Sequence, residues 1–143
     1  MGDFMDKYID RLFELADKSL EINDIPVGAI VVKDNEILGE GFNNRVVTHD
    51  PTSHAEINAI KDASKKIGDW RLNGCDLYVT LEPCDMCLEV IKESRIDNVY
   101  YILENNEKHK YNRTYVCIYN IDEKAKDNYK NKLSDFFDKN LNR

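Results

Sequence analysis

Two short segments carry the residue types with the most chemistry: His54-Ala55-Glu56, and Pro83-Cys84-Asp85-Met86-Cys87. Cysteines three apart on a helical turn share one face and can present two sulfurs to a single ion. A helix start favours the thiolate that a metal requires. With His54 as a third donor the set is Cys2His. A zinc ion held by three protein ligands keeps its fourth tetrahedral position open, the mark of a catalytic rather than a structural site. Glu56 follows His54 by two positions, and residues so spaced do not face each other along a regular helix. At a helix start, however, both can lean over the end. Glu56 is then a proton carrier beside the open position and not a ligand. The expectation is one zinc ion per chain, held by His54, Cys84 and Cys87.

Each piece has a plainer meaning when taken singly. Ser53-x-x-Glu56 is the pattern of a capping box. A Cys-x-x-Cys pair can be a redox dithiol, and a lone helical histidine is commonly structural. The structural alternative with most in its favour is a closed zinc site in which Cys75 is the fourth ligand. Otherwise Cys75 reads as a small residue entering a strand, and Cys117 as one in a half-buried strand. The co-occurrence of both segments within some tens of residues favours the catalytic reading.

The elements that must position these residues are legible as periodicities. Ile9, Leu12, Phe13, Ala16 and Leu20 recur at helical spacing and predict an amphipathic helix over residues 4–20. After Pro26 an apolar run predicts a strand over 27–32, and Asp34-Asn35 a turn into a second strand over 36–42. Residues 50–53 read as a helix start, with Ile57, Ile60, Ala63 and Ile67 on one face of the helix that follows. A strand is expected over 76–81, then a helix opened by Pro83 and running to about Ser94, since proline is tolerated in a first turn. Strands over 98–103 and 115–121 and a terminal helix marked by Tyr129, Leu133, Phe136 and Phe137 complete the chain. Helices interleaved with strands predict an α/β layered domain with a mixed sheet, whose sites gather where strand ends meet helix starts.

Composition narrows the classes further. A chain of 143 residues fits one domain, 1–143, and 42% hydrophobic with 33% charged residues is a globular composition. No apolar run reaches the ~18 residues of a membrane span; the nearest is 26–32. Asp3, Asp6 and Asp10 stand where an apolar signal core would lie, so the expected location is cytoplasmic. Twenty basic against 27 acidic residues give a net charge of −7, so any nucleic-acid contact must come from a local basic patch. Four cysteines in such a chain suggest metal or redox chemistry before disulfides.

Around the H-x-E…P-C-x-x-C signature the chain resembles the zinc-dependent cytidine and adenosine deaminases. Within that group it is most similar to the bacterial tRNA adenosine deaminases. The similarity runs through Pro26-Val27-Gly28-Ala29-Ile30-Val31-Val32, Gly41-Phe42-Asn43, residues 50–56 and 77–87, Ser94-Arg95-Ile96, and Leu133-Ser134-Asp135-Phe136-Phe137. The resemblance implies a three-layer α/β/α cytidine-deaminase-like fold with a central mixed five-stranded sheet, and a homodimer. It also implies conversion of adenosine to inosine at the wobble position of a tRNA anticodon stem-loop. His54, Cys84 and Cys87 match the zinc ligands and Glu56 the proton shuttle. Asn43 matches an asparagine that bonds the flipped base, and Val27 an apolar residue of its pocket. Residues 104–113 form a shorter, glycine-free segment than the tRNA enzymes carry between their last two strands. Lys108, Lys110 and Arg113 lie there beside His109 and Tyr111, a mixture able to hold phosphates and stack a base, or simply to be a solvated loop. Deamination of a free nucleobase, nucleoside or nucleotide of cytosine or guanine type is the rival activity, and a non-enzymatic zinc module the third reading.

Overall fold

The computed structural model describes residues 2–105, 117–120 and 123–141. Along the chain lie α1 (Gly2–Glu21), β1 (Gly28–Lys33), β2 (Glu36–Phe42), α2 (Arg45–Thr48), α3 (Ala55–Ile67), β3 (Asp76–Leu81), α4 (Asp85–Glu93), β4 (Asn98–Leu103), β5 (Cys117–Asn120) and α5 (Glu123–Leu141). The strands form one mixed sheet in the order β2-β1-β3-β4-β5. β1 runs antiparallel to both β2 and β3, while β3, β4 and β5 are mutually parallel. Asp34 and Asn35 both adopt positive φ (51° and 65°) between β1 and β2. That backbone matches the twist of the flanking strands, and Asp and Asn tolerate it better than most residues do.

Strand alternation sorts the core into two layers. Ala29 and Val31 of β1, with Leu77 and Val79 of β3, face Ala55, Ala59 and Ala63 of α3 and Leu88 and Ile91 of α4. Ile30, Val32 and Tyr78 point the other way, against Leu12 and Leu15 of α1 and Ala125 and Tyr129 of α5. The result is the α/β/α arrangement expected from the sequence. Tyr129, wholly buried, donates its hydroxyl to the carbonyl of Pro26 at 2.6 Å. It thereby fastens the last helix to the segment entering β1.

The seat of α3 on β2 depends on two missing side chains. A Cβ at Gly39 would lie 2.4 Å from the Ala59 carbonyl oxygen, and one at Gly41 2.3 Å from that of Ala55. Glycines facing a row of alanines let the helix backbone rest directly on the strand.

Several boundaries differ from the sequence reading. β1 begins and ends one residue later than expected. α2 was not foreseen, because a four-residue helix has no period to detect. α4 starts at Asp85, with Cys84 as its N-cap, so Pro83 lies outside the helix. β5 occupies Cys117–Asn120; residues 115, 116 and 121 of the strand expected there lie outside the described residues.

Candidate active site

The two chemistry-bearing segments meet at two helix N-termini. His54 is the N-cap of α3 and Cys84 that of α4, both with extended backbone (ψ 156° and 172°). Neither side chain caps its own helix, so both are available for other work. The cap of α3 comes from the end of β2: the Asn43 Oδ1 accepts the Ala55 N–H at 2.7 Å. Ser53 is therefore not the cap of a capping box. Its hydroxyl bonds the Asn44 side chain, and Asn58 Nδ2 donates to that same Asn44 oxygen at 3.0 Å and to the Phe42 carbonyl at 2.9 Å. This amide cluster holds the entry to α3 against the end of β2.

His54 Nδ1 lies 3.5 Å from Cys87 Sγ and 4.0 Å from Cys84 Sγ. One donor atom from each of the three residues lies within 4.8 Å of the others. For a tetrahedral zinc ion with bonds of ~2.3 Å to sulfur and ~2.0–2.1 Å to nitrogen, the sulfur–nitrogen edge is about 3.5 Å. The donor set fits zinc.

The electrostatics agree with that fit. The Cys84 thiol is drawn down to about 4, first by its hydrogen bond with Cys87 and then, against burial, by His54. Cys87 moves the opposite way, pushed up by the bond with Cys84 and by burial. His54 is raised, chiefly by its contact with Cys84. Protons shared among three donors this close are what a divalent cation displaces. Glu56, 4% exposed, has its carboxyl pushed up to about 7 by burial.

A cavity of about 180 Å³ opens beside these groups, lined among others by Val27, Asn43, His54, Glu56 and Cys84. A cavity of ~150 Å³ accepts benzene, so this one takes a single flat ring system. Of the sequence-predicted residues, Val27, Asn43, His54, Glu56 and Cys84 line it, and Cys87 joins them from just behind through His54. Because the Asn43 oxygen is committed to Ala55, its NH2 is the end left to donate. Cys75 is not part of the group. It lies buried just before β3, whereas Cys84 follows the far end of that strand, six residues or ~20 Å away. The closed site with Cys75 is thus ruled out. The Cys117 side chain and the predicted basic and aromatic residues Lys108, His109, Lys110, Tyr111 and Arg113 lie outside the described residues.

The sequence reading missed Arg45, Glu82 and Asn105, which also line the cavity. Glu82 is 8% exposed, and its Oε1 accepts the Asn105 N–H at 3.1 Å, joining the ends of β3 and β4 at the cavity wall. Its place at the C-terminal end of a strand was a usable signal, since sites in such sheets collect there. Arg45 gave no comparable one.

A layered fold with two helix starts closing on a His/Cys/Cys set defines a metal-centred α/β/α class. Residues 3–103 match the family of the cytidine and deoxycytidylate deaminase zinc-binding region, and the chain belongs to it. Family and donor set together point to zinc. The chain is 46% identical over 101 residues to a tRNA-specific adenosine deaminase of Haemophilus influenzae, covering 70% of this chain and 58% of that protein. It therefore spans less than two-thirds of that relative's length. Among solved structures it resembles one from studies of A-to-I editing by tRNA:A34 deaminases, with a TM-score of 0.76 and 30% identity. That match covers 82% of this chain and 98% of the other. It also resembles the guanine deaminase of Bacillus subtilis, with a TM-score of 0.66 and 40% identity over 69% of this chain and 64% of that one.

Proposed function

We propose that this chain is a zinc-dependent hydrolytic deaminase that converts adenosine to inosine at the wobble position of a tRNA anticodon. The observation that carries the deaminase reading is Glu56, a buried carboxyl beside a ring-sized cavity and a His/Cys/Cys donor set. The tRNA substrate is supported by the similarity to the Haemophilus influenzae enzyme and to the A34 deaminase structure. The reading includes one zinc per chain, from the donor set, action in the cytoplasm, from the acidic N-terminal residues, and a homodimer, from the family resemblance alone.

In this mechanism His54, Cys84 and Cys87 hold the zinc. When bound, the ion supplies Lewis acidity and activates water near neutral pH. The chain's own groups do the rest. Val27 packs on the base, and the Asn43 NH2 donates to an acceptor on its edge. Glu56 takes a proton from the attacking water and gives it to the ring nitrogen next to the carbon under attack. It then carries the second proton to the departing amine, so water and adenosine yield inosine and ammonia. A carboxyl whose proton affinity lies near the working pH serves both directions of transfer. Burial, which shifts Glu56 into that range, also shields it from bulk water.

The guanine deaminase likeness favours a second reading, hydrolysis of a free base or nucleoside. One experiment separates the two. The zinc-loaded protein is incubated with an anticodon stem-loop carrying adenosine at the wobble position, and in parallel with free cytosine, cytidine, adenine and guanine. Inosine in the RNA is the expected result. Ammonia from the small molecules alone would overturn the tRNA reading, and no ammonia from any of them would favour a non-enzymatic zinc module.

A further inference from the structure

Among the described residues the cavity wall contains one arginine or lysine, Arg45, and they make little use of it. Among the described residues, Nη2 alone of its three nitrogens meets a protein acceptor, the Asp24 Oδ1 at 3.3 Å. Its Nε is buried with no partner among those residues. Buried polar groups are nearly always paired, and an orphaned donor on a charged group is among the costlier exceptions. The side chain as a whole is 34% exposed and lines the cavity.

The guanidinium is nonetheless held in place. Asp24 is 1% exposed and accepts three bonds: from Arg45, from the Ile25 N–H at 2.8 Å and from the Val46 N–H at 3.0 Å. One carboxylate thus fixes the first turn of α2 and the arginine side chain together. An anchored cation with spare donors suits an anion that the chain does not itself provide. Two planar N–H groups match phosphate oxygens especially well. Among the described residues that line the cavity, Arg45 is the one that brings a guanidinium or ammonium group to receive such an anion.

We infer that Arg45, positioned by Asp24, binds a phosphate attached to the reacting nucleoside, so that the site selects phosphate-bearing substrates over bare nucleosides and bases. Arg45 both lines the cavity and reaches solvent, so it can meet a phosphate carried out of the cavity on the sugar of a bound base. The inference deepens the proposed function and rests on a nucleoside occupying this cavity, yet it does not require that nucleoside to belong to a tRNA.

The test is equilibrium binding by zinc-loaded protein carrying Glu56→Ala, which removes turnover from the readout. Adenosine, guanosine and cytidine are each compared with their 5′- and 3′-monophosphates, and an anticodon stem-loop is titrated at several salt concentrations. At least one monophosphate should bind about tenfold more tightly than its nucleoside, and Arg45→Gln should remove that preference. Arg45→Lys keeps the charge without the planar pair and should restore only part of it. Asp24→Asn should weaken the preference while leaving Arg45 in place. For the stem-loop, Arg45→Gln should also lower the slope of log affinity against log salt by about 0.7. No preference in the protein with Arg45 intact, or one that survives Arg45→Gln, overturns the inference. So does a fall in melting temperature with equal loss for nucleoside and nucleotide, which would mean that Arg45 serves only to neutralise Asp24. An Arg45-dependent preference for monophosphates in a protein that leaves the stem-loop unedited would uphold this inference while the tRNA reading fell.

Discussion

Gly41→Ala is the sharpest probe of how the fold sets the site. The new methyl would lie 2.3 Å from the Ala55 carbonyl oxygen and 2.5 Å from the Ala59 nitrogen, where real Cβ contacts essentially never fall below 3.0 Å. β2 and the start of α3 must therefore separate by at least about 0.7 Å at that point, a lower bound from these distances and their ordinary limit. Both obstructing atoms are backbone, so no rotamer change relieves the clash. Whichever element yields, the Asn43–Ala55 bond at the helix start is stretched, and His54 moves relative to Cys84 and Cys87. Overpacking of this kind costs about 1–3 kcal/mol, or about 3–12 °C in melting temperature for a chain of this size. Metal sites tolerate only ~0.2 Å in ligand position, and loss of a supporting contact lowers affinity about 10–100-fold. The assay is thermal unfolding together with zinc affinity from a competing chelator. Gly68→Ala is the control. Gly68 has φ +76°, and a Cβ there would meet nothing within 4 Å, so the change should cost about 1 kcal/mol and leave zinc binding intact. A Gly41→Ala protein with unchanged melting temperature and zinc affinity would refute the claim that glycine–alanine contact positions the metal ligands.

Other outcomes follow from the same geometry. Glu56→Gln should retain zinc and lose about 10²–10⁴ in kcat, measured by ammonia release at saturating substrate; near-normal turnover would remove Glu56 from proton transfer. His54→Ala should lose both zinc and activity, and full activity in metal-stripped protein would end the zinc mechanism. Tyr129→Phe should destabilise by about 1–2 kcal/mol through the lost bond to Pro26, read as a lower urea midpoint. Arg11 grips Glu40 by two hydrogen bonds, at 2.5 and 2.9 Å, and holds its carboxyl below the usual range. The stability this contributes is complete above the unfolded carboxyl's pKa and disappears as pH falls through the lower folded value. Glu40→Gln should therefore cost about 1 kcal/mol or less at pH 7, with the gap closing below about pH 4 in urea titrations. A gap that stayed constant with pH would contradict that assignment.

The His/Cys/Cys donor set was readable because spacing alone brings Cys84 and Cys87 to one turn, and His54 stands where a second helix begins. The helix ends were harder to place. Proline favours the first helical position, which made Pro83 an attractive start, yet the chain puts Cys84 at the N-cap. The consequence is favourable: N-cap and third helical residue approach each other as in a capping box, with sulfurs replacing the usual oxygens. The plainer reading of Ser53-x-x-Glu56 as a capping box fails, since Asn43, twelve residues upstream of Ala55, takes the cap of α3. Arg45, Glu82 and Asn105 went unread for a common reason, although the strand end at Glu82 offered a general hint. Their places in the cavity wall are fixed by partners about twenty residues away, Asp24 for Arg45 and the β3–β4 pairing for the other two. No local periodicity records such contacts.

The bond from Tyr129 to Pro26 joins residues 103 apart in sequence. A ribosome adds His54, Cys84 and Cys87 to this chain before it adds any residue of α5, at ~5–20 residues per second. The nascent domain thus passes through an interval in which it can capture the ion while the segment leading into Val27, one wall of the cavity, still lacks its anchor. Metal loading can then precede maturation of the pocket, with the last helix acting as a late clasp.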